Sequence, residues 1–187
     1  GTSAGSFAGG AFSTGLTADD IIQFGHKLSW STIAGFSYSP RGLLSNAGIE
    51  AFVKQNFPVH RFEELKIPFA ALACDLETGD EIVLKETGDL ATAIRASCAV
   101  PGVFTPVATA SGRQLIDGGV ITPMPTKTVR EMGADLVIDH GQPLSEALKR
   151  AGVDQVTQVA SLTQTDQHLD QLVEALAPQG KLALIDD

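Results

Sequence analysis

The stretch GTSAGSFAGGAFSTG, residues 1–15, decides how this sequence folds. Its first five residues match Gly-x-Ser-x-Gly, the pattern of a sharp turn that lifts a serine hydroxyl from the end of a strand onto the start of a helix. Residues 4–15 are small and apolar, which predicts a helix packed very close to a neighbouring sheet. Gly15 is a typical helix stop. The opening residues are therefore interpreted as the middle of a fold, and not as a tail.

Ser3 is the candidate nucleophile of this turn. A Cβ on Gly1 or Gly5 would collide with neighbouring backbone, which explains the two glycines. The start of the helix places free N–H groups and the positive end of the helix dipole beside the hydroxyl. The N–H of Ala4 can then donate to an oxyanion that forms when Ser3 attacks a carbonyl. The alternative interpretation of the pentapeptide is a glycine-rich turn with no catalytic role.

A nucleophilic serine needs a base, and the histidines do not supply an evident one. None of the four lies in a recognisable catalytic setting: His26, His60, His140 and His168. A buried aspartate within hydrogen-bond reach can serve instead. Asp117 fits this description, because it ends the apolar strand RQLID and is followed by Gly118 and Gly119, which let the backbone fold tightly around it. The alternative is that Asp-Gly-Gly is simply a turn.

Helical and strand patterns alternate along the remaining chain. Thr17 with Asp20 has capping-box spacing, and Ser45 is the predicted cap of a later helix. The predicted helices are 17–28, 45–55, 89–99, one that ends near Met132, 144–151 and 165–177. The predicted strands are 67–76 and 80–86, which a tight turn at 77–79 joins, and 113–117, 134–138, 155–162 and 181–186. This alternation predicts a three-layer α/β fold in which a mostly parallel sheet carries helices on both faces.

Residues 29–44 are irregular, rich in Ser and Gly, and typical of a loop over a site. Their aromatic residues Trp30, Phe36 and Tyr38 either line an entrance for an acyl chain or only anchor the loop. Elsewhere, we interpret Cys98 as a packed small residue and Arg95 as a bridge from its helix to an acidic neighbour.

Composition narrows the function classes. The chain has 187 residues, of which 43% are hydrophobic, so it can fill a core. A net charge of −9 without a dense Lys/Arg stretch disfavours nucleic-acid binding. The two cysteines, Cys74 and Cys98, form no Cys-x-x-Cys pair and have no nearby His, so neither a disulfide framework nor a zinc site is indicated. The sequence has no apolar run of bilayer length and no leader-like segment, which predicts a soluble, cytoplasmic protein.

Three blocks together resemble the bacterial patatin-like phospholipase family: GTSAG at 1–5, AIRASCAVPGVFTPV at 93–107 and LIDGGVITPMP at 115–125. The segment IPFAALACDLETGDEIVL at 67–84 is similar to that family too, so the resemblance covers about residues 1–138. It implies a Ser-Asp dyad in which Ser3 is the nucleophile and Asp117 its base, with no metal or cofactor. It also implies a lipid or acyl-ester substrate and transient contact with a membrane surface.

Residues 140–187 instead resemble the nucleotide-binding half of zinc-type or quinone-oxidoreductase-like medium-chain dehydrogenases. We therefore predict a junction near 133–140, with an acyl hydrolase domain at 1–138 and a Rossmann-like β-α-β fragment at 139–187. The chain contains no Gly-x-Gly-x-x-Gly turn, so no nicotinamide binding is expected.

Two further hypotheses stay open. An NAD(P)-dependent oxidoreductase would rest on the tail alone. A catalytically incomplete fusion would follow if the glycine-rich loop and first strand, which the family has before the elbow, were missing from the protein.

Overall fold

The computed structural model describes residues 1–37, 42–139 and 182–185. These residues fall into two compact units, Gly1–Pro125 and a second one that begins at Thr126. The predicted elements 144–151, 155–162 and 165–177 lie outside the described residues. The domain division at 138–139 stays a prediction.

The described residues form a mixed α/β fold, as predicted. Its helices are α1 Ala4–Ser13, α2 Ala18–Lys27, α3 Trp30–Ile33, α4 Ala47–Asn56, α5 Leu90–Ser97 and α6 Thr126–Glu131, with short 3₁₀ turns at Phe62–Glu64 and Gly118–Val120. Its strands are β1 Gly35–Phe36, β2 Gly42–Ser45, β3 Ala70–Asp75, β4 Glu81–Lys85, β5 Gly102–Phe104, β6 Val107–Ala108, β7 Gln114–Asp117, β8 Leu136–Asp139 and β9 Leu182–Ile185. Among the described helices none is long and apolar enough to cross a membrane.

The predicted mostly parallel sheet is wrong for the main sheet. Its order is β4-β3-β7-β6, and each neighbouring pair is antiparallel. For two of the three pairs the reason is the length of the connection: β3 turns into β4 through a short turn in which Gly79 has φ 75°, and β6 turns into β7 within a few residues. Parallel neighbours would need crossovers of a dozen or more residues. Parallel pairing does occur between β2 and β5 and between β8 and β9.

The first two helices begin and end as predicted. The N–H of Gly15 donates to the Phe12 carbonyl at 2.9 Å, and its φ of 95° closes α1. At the start of α2, Thr17 and Asp20 form the reciprocal capping box. The apolar face of α2 is narrower than predicted, because Ile22 is exposed.

The predicted cap of α4 is one residue off. Asn46 holds the N-cap position, while the Ser45 hydroxyl accepts only a long hydrogen bond, 3.3 Å, from the N–H of Ala47. The side chain of Asn46 is fully buried and turns toward α5 instead, where its amide donates to the Arg95 carbonyl at 2.8 Å. A buried amide with a tertiary partner thus replaces the local cap.

The predicted loop 29–44 contains more regular structure than its composition indicates. It holds α3, β1 and the first residues of β2, although Tyr38 lies outside the described residues. Phe36 is 90% exposed and Trp30 is 65% exposed. The Trp30 ring stacks on Phe104 with centroids 6.0 Å apart, so one of these aromatics does anchor the segment.

The core lies where α1, α4 and α5 pack around β3, whose six residues are all buried. Phe7 of α1 contacts the rings of Phe52 and Phe57, with centroids 5.8 and 5.5 Å away. An ideal Cβ on Gly10 would lie 2.7 Å from Cδ1 of Ile94, so α1 approaches α5 more closely than an alanine there would permit. This close contact is with another helix, so the predicted close packing of α1 against the sheet stays a prediction.

Candidate active site

Two chain segments meet head to head along one edge of β3. Strand β7 runs antiparallel to β3 and pairs Asp117 with Ala73. Thr2 forms a parallel bridge with Leu72, so the first residues run along β3 in the opposite sense to β7. Because β4 occupies the other edge of β3 at Leu72, both segments share the remaining edge and point at each other. The residue after Thr2 and the last residue of β7 are thereby brought together.

Ser3 has a backbone conformation that is rare for a residue with a side chain. Its φ of 52° and ψ of −125° place it in the left-handed half of conformational space, directly before α1. Such a conformation costs on the order of 1–3 kcal/mol and persists only where its surroundings enforce it. The turn is also tight, because an ideal Cβ on Gly1 would lie 2.3 Å from the Gly5 carbonyl oxygen. Gly1 is required here for steric reasons, as the motif predicts.

Hydrogen bonds hold both peptide groups of Ser3. Its N–H donates to the Ser97 hydroxyl at 3.0 Å. Its carbonyl accepts from the N–H of Ser6 at 2.9 Å, from the Ser6 hydroxyl at 2.6 Å and from the Cys98 thiol at 3.1 Å. The conformation of the turn is therefore fixed from two sides by side chains of α1 and α5.

The side chains of Ser3 and Asp117 are in direct contact. The hydroxyl of Ser3 donates to Oδ2 of Asp117 at 2.7 Å. Asp117 is 5% exposed, and its Oδ1 accepts a second hydrogen bond from the N–H of Gly119 at 2.7 Å. Its own N–H donates to the Ala99 carbonyl at 2.9 Å. A bond of this length places Oδ2 within the reach that a general base needs to accept the hydroxyl proton.

The glycine after Asp117 is as constrained as Gly1. An ideal Cβ on Gly118 would lie 2.4 Å from the Leu72 carbonyl oxygen, which is backbone of β3. On Gly119, an ideal Cβ would lie 3.0 Å from Oδ1 of Asp117. Both glycines thus allow the chain to turn around the carboxylate at short range.

Ala4 begins α1 and is exposed beside Ser3. Within the described part of the chain, its N–H donates no hydrogen bond. This N–H lies at the positive end of the helix, where partial charge favours an anion. This N–H can therefore donate to an acceptor beside Ser3, and its role toward an oxyanion stays a prediction.

The remaining candidate site residues that the structure describes have structural roles. Burial raises the pKa of the Cys98 thiol to about 12, so the thiol is a protonated packing group. Arg95 pairs with Glu50 at 2.9 Å and with the Asn46 side chain at 3.1 Å, which is the predicted bridge to an acidic neighbour. No histidine within residues 1–37 and 42–139 is a hydrogen-bond partner of Ser3. His140 and His168 lie outside the described residues.

Sequence reasoning missed Ser97. It is fully buried, and its hydroxyl donates to the Leu72 carbonyl at 2.6 Å while it accepts from the N–H of Ser3. The available signal is its position: Leu90, Ala93, Ile94 and Ser97 follow the spacing of one buried helix face. A serine at the last place of such a face indicates a buried hydroxyl that needs a partner.

The described residues contain no group of three or more His, Cys, Asp or Glu side chains that could hold a metal ion.

Comparison with known proteins places most of the chain in one group. A model of patatin-like phospholipases matches residues 1–130. An uncharacterized NTE family protein of Mycobacterium tuberculosis is 35% identical over 150 residues, which are 79% of this chain and 41% of that protein. A second such protein of M. tuberculosis is 32% identical over 132 residues, 69% of this chain and 22% of that protein. The mouse patatin-like phospholipase domain-containing protein 7 is 29% identical over 146 residues, 74% of this chain and 11% of that protein. This chain thus spans about two-fifths or less of the length of these relatives.

Proposed function

Since this chain belongs to the patatin-like phospholipase family, we propose that it hydrolyses the carboxylic ester bonds of lipids with Ser3 as nucleophile and Asp117 as general base. The proposal needs no metal and no histidine. One observation carries it: the 2.7 Å hydrogen bond from the hydroxyl of Ser3 to a buried carboxylate. Phospholipids, lysophospholipids and simpler acyl esters are the substrates that the family membership supports.

The first half of the reaction forms an acyl-enzyme. Oγ of Ser3 attacks the acyl carbonyl carbon while its proton passes to Oδ2 of Asp117. Negative charge develops on the former carbonyl oxygen, and the N–H of Ala4 donates to it. The tetrahedral intermediate collapses, the bond to the alcohol oxygen breaks, and that oxygen takes the proton from Asp117. The acyl group is then bound to Ser3 as an ester.

The second half releases the fatty acid. Water gives a proton to Asp117 as its oxygen attacks the acyl carbonyl carbon. The new tetrahedral intermediate is again stabilised by the N–H of Ala4. Its collapse breaks the bond to Oγ of Ser3, which recovers the proton. Every proton moves through a single carboxylate, and this carboxylate is held in place by the N–H of Gly119.

Exposed apolar residues that follow Asp117, or its hydrogen-bond partner Ala99, closely in the chain support an acyl substrate. Val120 and Ile121 follow the Asp-Gly-Gly turn directly and are 55% and 45% exposed. Val100, also exposed, follows Ala99, whose carbonyl binds the N–H of Asp117. Apolar groups around a few polar ones are the usual lining of a site for a hydrophobic ligand. Transient contact with a membrane surface stays a prediction.

The test is covalent labelling of the whole chain with a fluorophosphonate, followed by mass spectrometry of the modified peptide. We expect one adduct per chain, on Ser3. Ser3→Ala should give none, and Asp117→Asn should label about 10²- to 10⁴-fold more slowly because its amide cannot accept the proton. Ser111→Ala is the matched control, since that exposed serine lies in the turn between β6 and β7.

Two results would contradict the proposal. An adduct that forms on another residue, or none on the natural chain, would remove Ser3 as the nucleophile. An unchanged labelling rate in Asp117→Asn would remove the carboxylate as the base. Hydrolysis of p-nitrophenyl butyrate by the same variants gives an independent measure of turnover.

A further inference from the structure

We propose that Ser97 is a positioning residue, which holds the backbone of Ser3 in its strained conformation and so aims Oγ of Ser3 at Asp117. This inference rests on the proposed function, because it assigns a purpose to the geometry of the same pair. It goes beyond the proposed function because it identifies the residue that maintains the Ser3–Asp117 geometry, Ser97 at the end of α5.

The Ser97 hydroxyl connects three parts of the fold. It donates its proton to the Leu72 carbonyl of β3 at 2.6 Å and accepts the N–H of Ser3 at 3.0 Å. Because the bond to Leu72 fixes where the hydroxyl proton points, the remaining lone pairs are directed elsewhere, and one of them receives the N–H of Ser3. Ser97 is 0% exposed, so the structure leaves it shielded from solvent.

The bond to the Ser3 N–H bears directly on the orientation of the nucleophile. That N–H belongs to the peptide group between Thr2 and Ser3. The orientation of this peptide group, which the bridge from Thr2 to Leu72 also restrains, sets φ of Ser3. A φ of 52° is unfavourable for a serine unless the neighbouring peptide is held. If the peptide rotated, Oγ of Ser3 would swing away from Oδ2 of Asp117, which it now contacts at 2.7 Å.

The other contacts of Ser3 do not replace this one. Ser6 and Cys98 bind its carbonyl, which belongs to the peptide on the far side of the Ser3 Cα. They fix the first turn of α1, whereas Ser97 fixes the entry from the strand side. Removing the Ser97 hydroxyl would leave the buried Leu72 carbonyl and the N–H of the half-buried Ser3 without the partner each has now.

The decisive variants are Ser97→Ala and Thr14→Ala. Thr14 is the matched control, because its buried hydroxyl also donates to a backbone carbonyl, that of Ala11 at 2.6 Å, at the opposite end of α1. We expect Ser97→Ala to lower kcat for p-nitrophenyl butyrate and the rate of fluorophosphonate labelling on the order of a hundredfold, with KM within about twofold. Thr14→Ala should lower the unfolding midpoint but label at the natural rate.

An isosteric pair covers the case in which Ser97→Ala does not fold. Ser97→Thr keeps the hydroxyl, and Ser97→Val has the shape of that threonine without the hydroxyl. Labelling that is retained in the threonine variant and lost in the valine variant assigns the effect to the hydroxyl. Labelling at the natural rate in the valine variant would overturn the proposal, as would natural kinetics in Ser97→Ala.

A measurement without turnover separates this inference from the proposed function. Hydrogen exchange of the Ser3 amide, followed by NMR, should accelerate in Ser97→Ala and stay slow in Thr14→Ala. If the natural chain is not labelled at Ser3 but the amide behaves in this way, the proposed function fails and the positioning role stands. Unchanged exchange of the Ser3 amide in Ser97→Ala would refute the positioning role whatever the activity.

Discussion

Gly118→Ala adds one methyl group at a place where the backbone of β3 already lies. The new Cβ would be 2.4 Å from the Leu72 carbonyl oxygen, 2.7 Å from its carbon and 3.1 Å from the nitrogen of Ala73. Ordinary contacts of a Cβ begin at 3.4 Å, so the turn after Asp117 must retreat by about 1 Å. All three obstructing atoms belong to the central strand, which is buried along its whole length and cannot move aside.

The expected magnitude follows from this displacement. Overpacking of a buried site costs about 1–3 kcal/mol, and in a chain of this size each kcal/mol lowers the unfolding midpoint by about 2–4 °C. The labelling chemistry should also slow, because a displacement near 1 Å breaks the 2.7 Å bond between Ser3 and Asp117. We expect fluorophosphonate labelling to slow on the order of a hundredfold.

Gly25→Ala is the control for the same chemical change. Gly25 lies inside α2, and an ideal Cβ there meets no atom within 4 Å. Alanine is preferred to glycine in a helix by about 0.5–1 kcal/mol, so this variant should melt slightly higher and label normally. Both rates come from time courses of labelling, and both midpoints from thermal unfolding followed by circular dichroism. A Gly118→Ala variant that labels and melts like Gly25→Ala would refute the steric reasoning.

Three other predictions use different parts of the structure. Burial raises the pKa of the Cys98 thiol to about 12, so only about one thiol in 10⁴ is ionised at pH 8. Iodoacetamide should therefore modify Cys98 rapidly only in denaturant. Fast modification in the native protein would contradict the burial. The hydrogen bond from Lys54 lowers the pKa of Glu50 below its ordinary 4.5. The stabilisation by the ionised carboxylate is present above pH 4.5 and is lost as the pH falls through the lowered pKa, so Glu50→Gln should flatten the fall of the unfolding midpoint in acid. Equal slopes of midpoint against pH in the natural chain and the variant would count against this reasoning. Asp89 caps α5 by accepting the N–H of Thr92 at 2.6 Å, so Asp89→Ala should cost about 1 kcal/mol in urea unfolding, and no change in the midpoint would argue against the cap.

The parts that the sequence predicts well depend on local rules. Gly1, Gly5 and the small residues after them predict the elbow and α1, because a sharp turn and a close helix each demand the absence of side chains. The capping box at Thr17 is equally local and is found as predicted. The meeting of Ser3 with Asp117 is a different matter, since they lie 114 residues apart and only the resemblance of several blocks links them.

The parts that the sequence does not predict depend on tertiary register. The tight turn between the strands at 67–76 and 80–86 predicts the antiparallel pairing of β3 with β4. Alternation of helix and strand does not state in which direction a later strand pairs with β3, so the antiparallel pairing of β7 is not predicted. Strands β5 and β6 have three and two residues, too few for a periodic pattern. Ser97 looks like an ordinary helix residue until β3 and the elbow lie beside it, 25 and 94 positions away.

The head-to-head arrangement on β3 also links the candidate site to the order of folding. The hairpin of β3 and β4 closes a short loop, whereas the contact between Ser3 and Asp117 closes one of 114 residues, which is entropically the more demanding step. This contact cannot form before β3 is in place, because Ser3 and Asp117 become neighbours only when the first residues and β7 both pair with β3. The proposed reactivity of Ser3 therefore depends on a non-local contact, and labelling of Ser3 in a refolding experiment would report completion of this unit instead of formation of its first secondary structure.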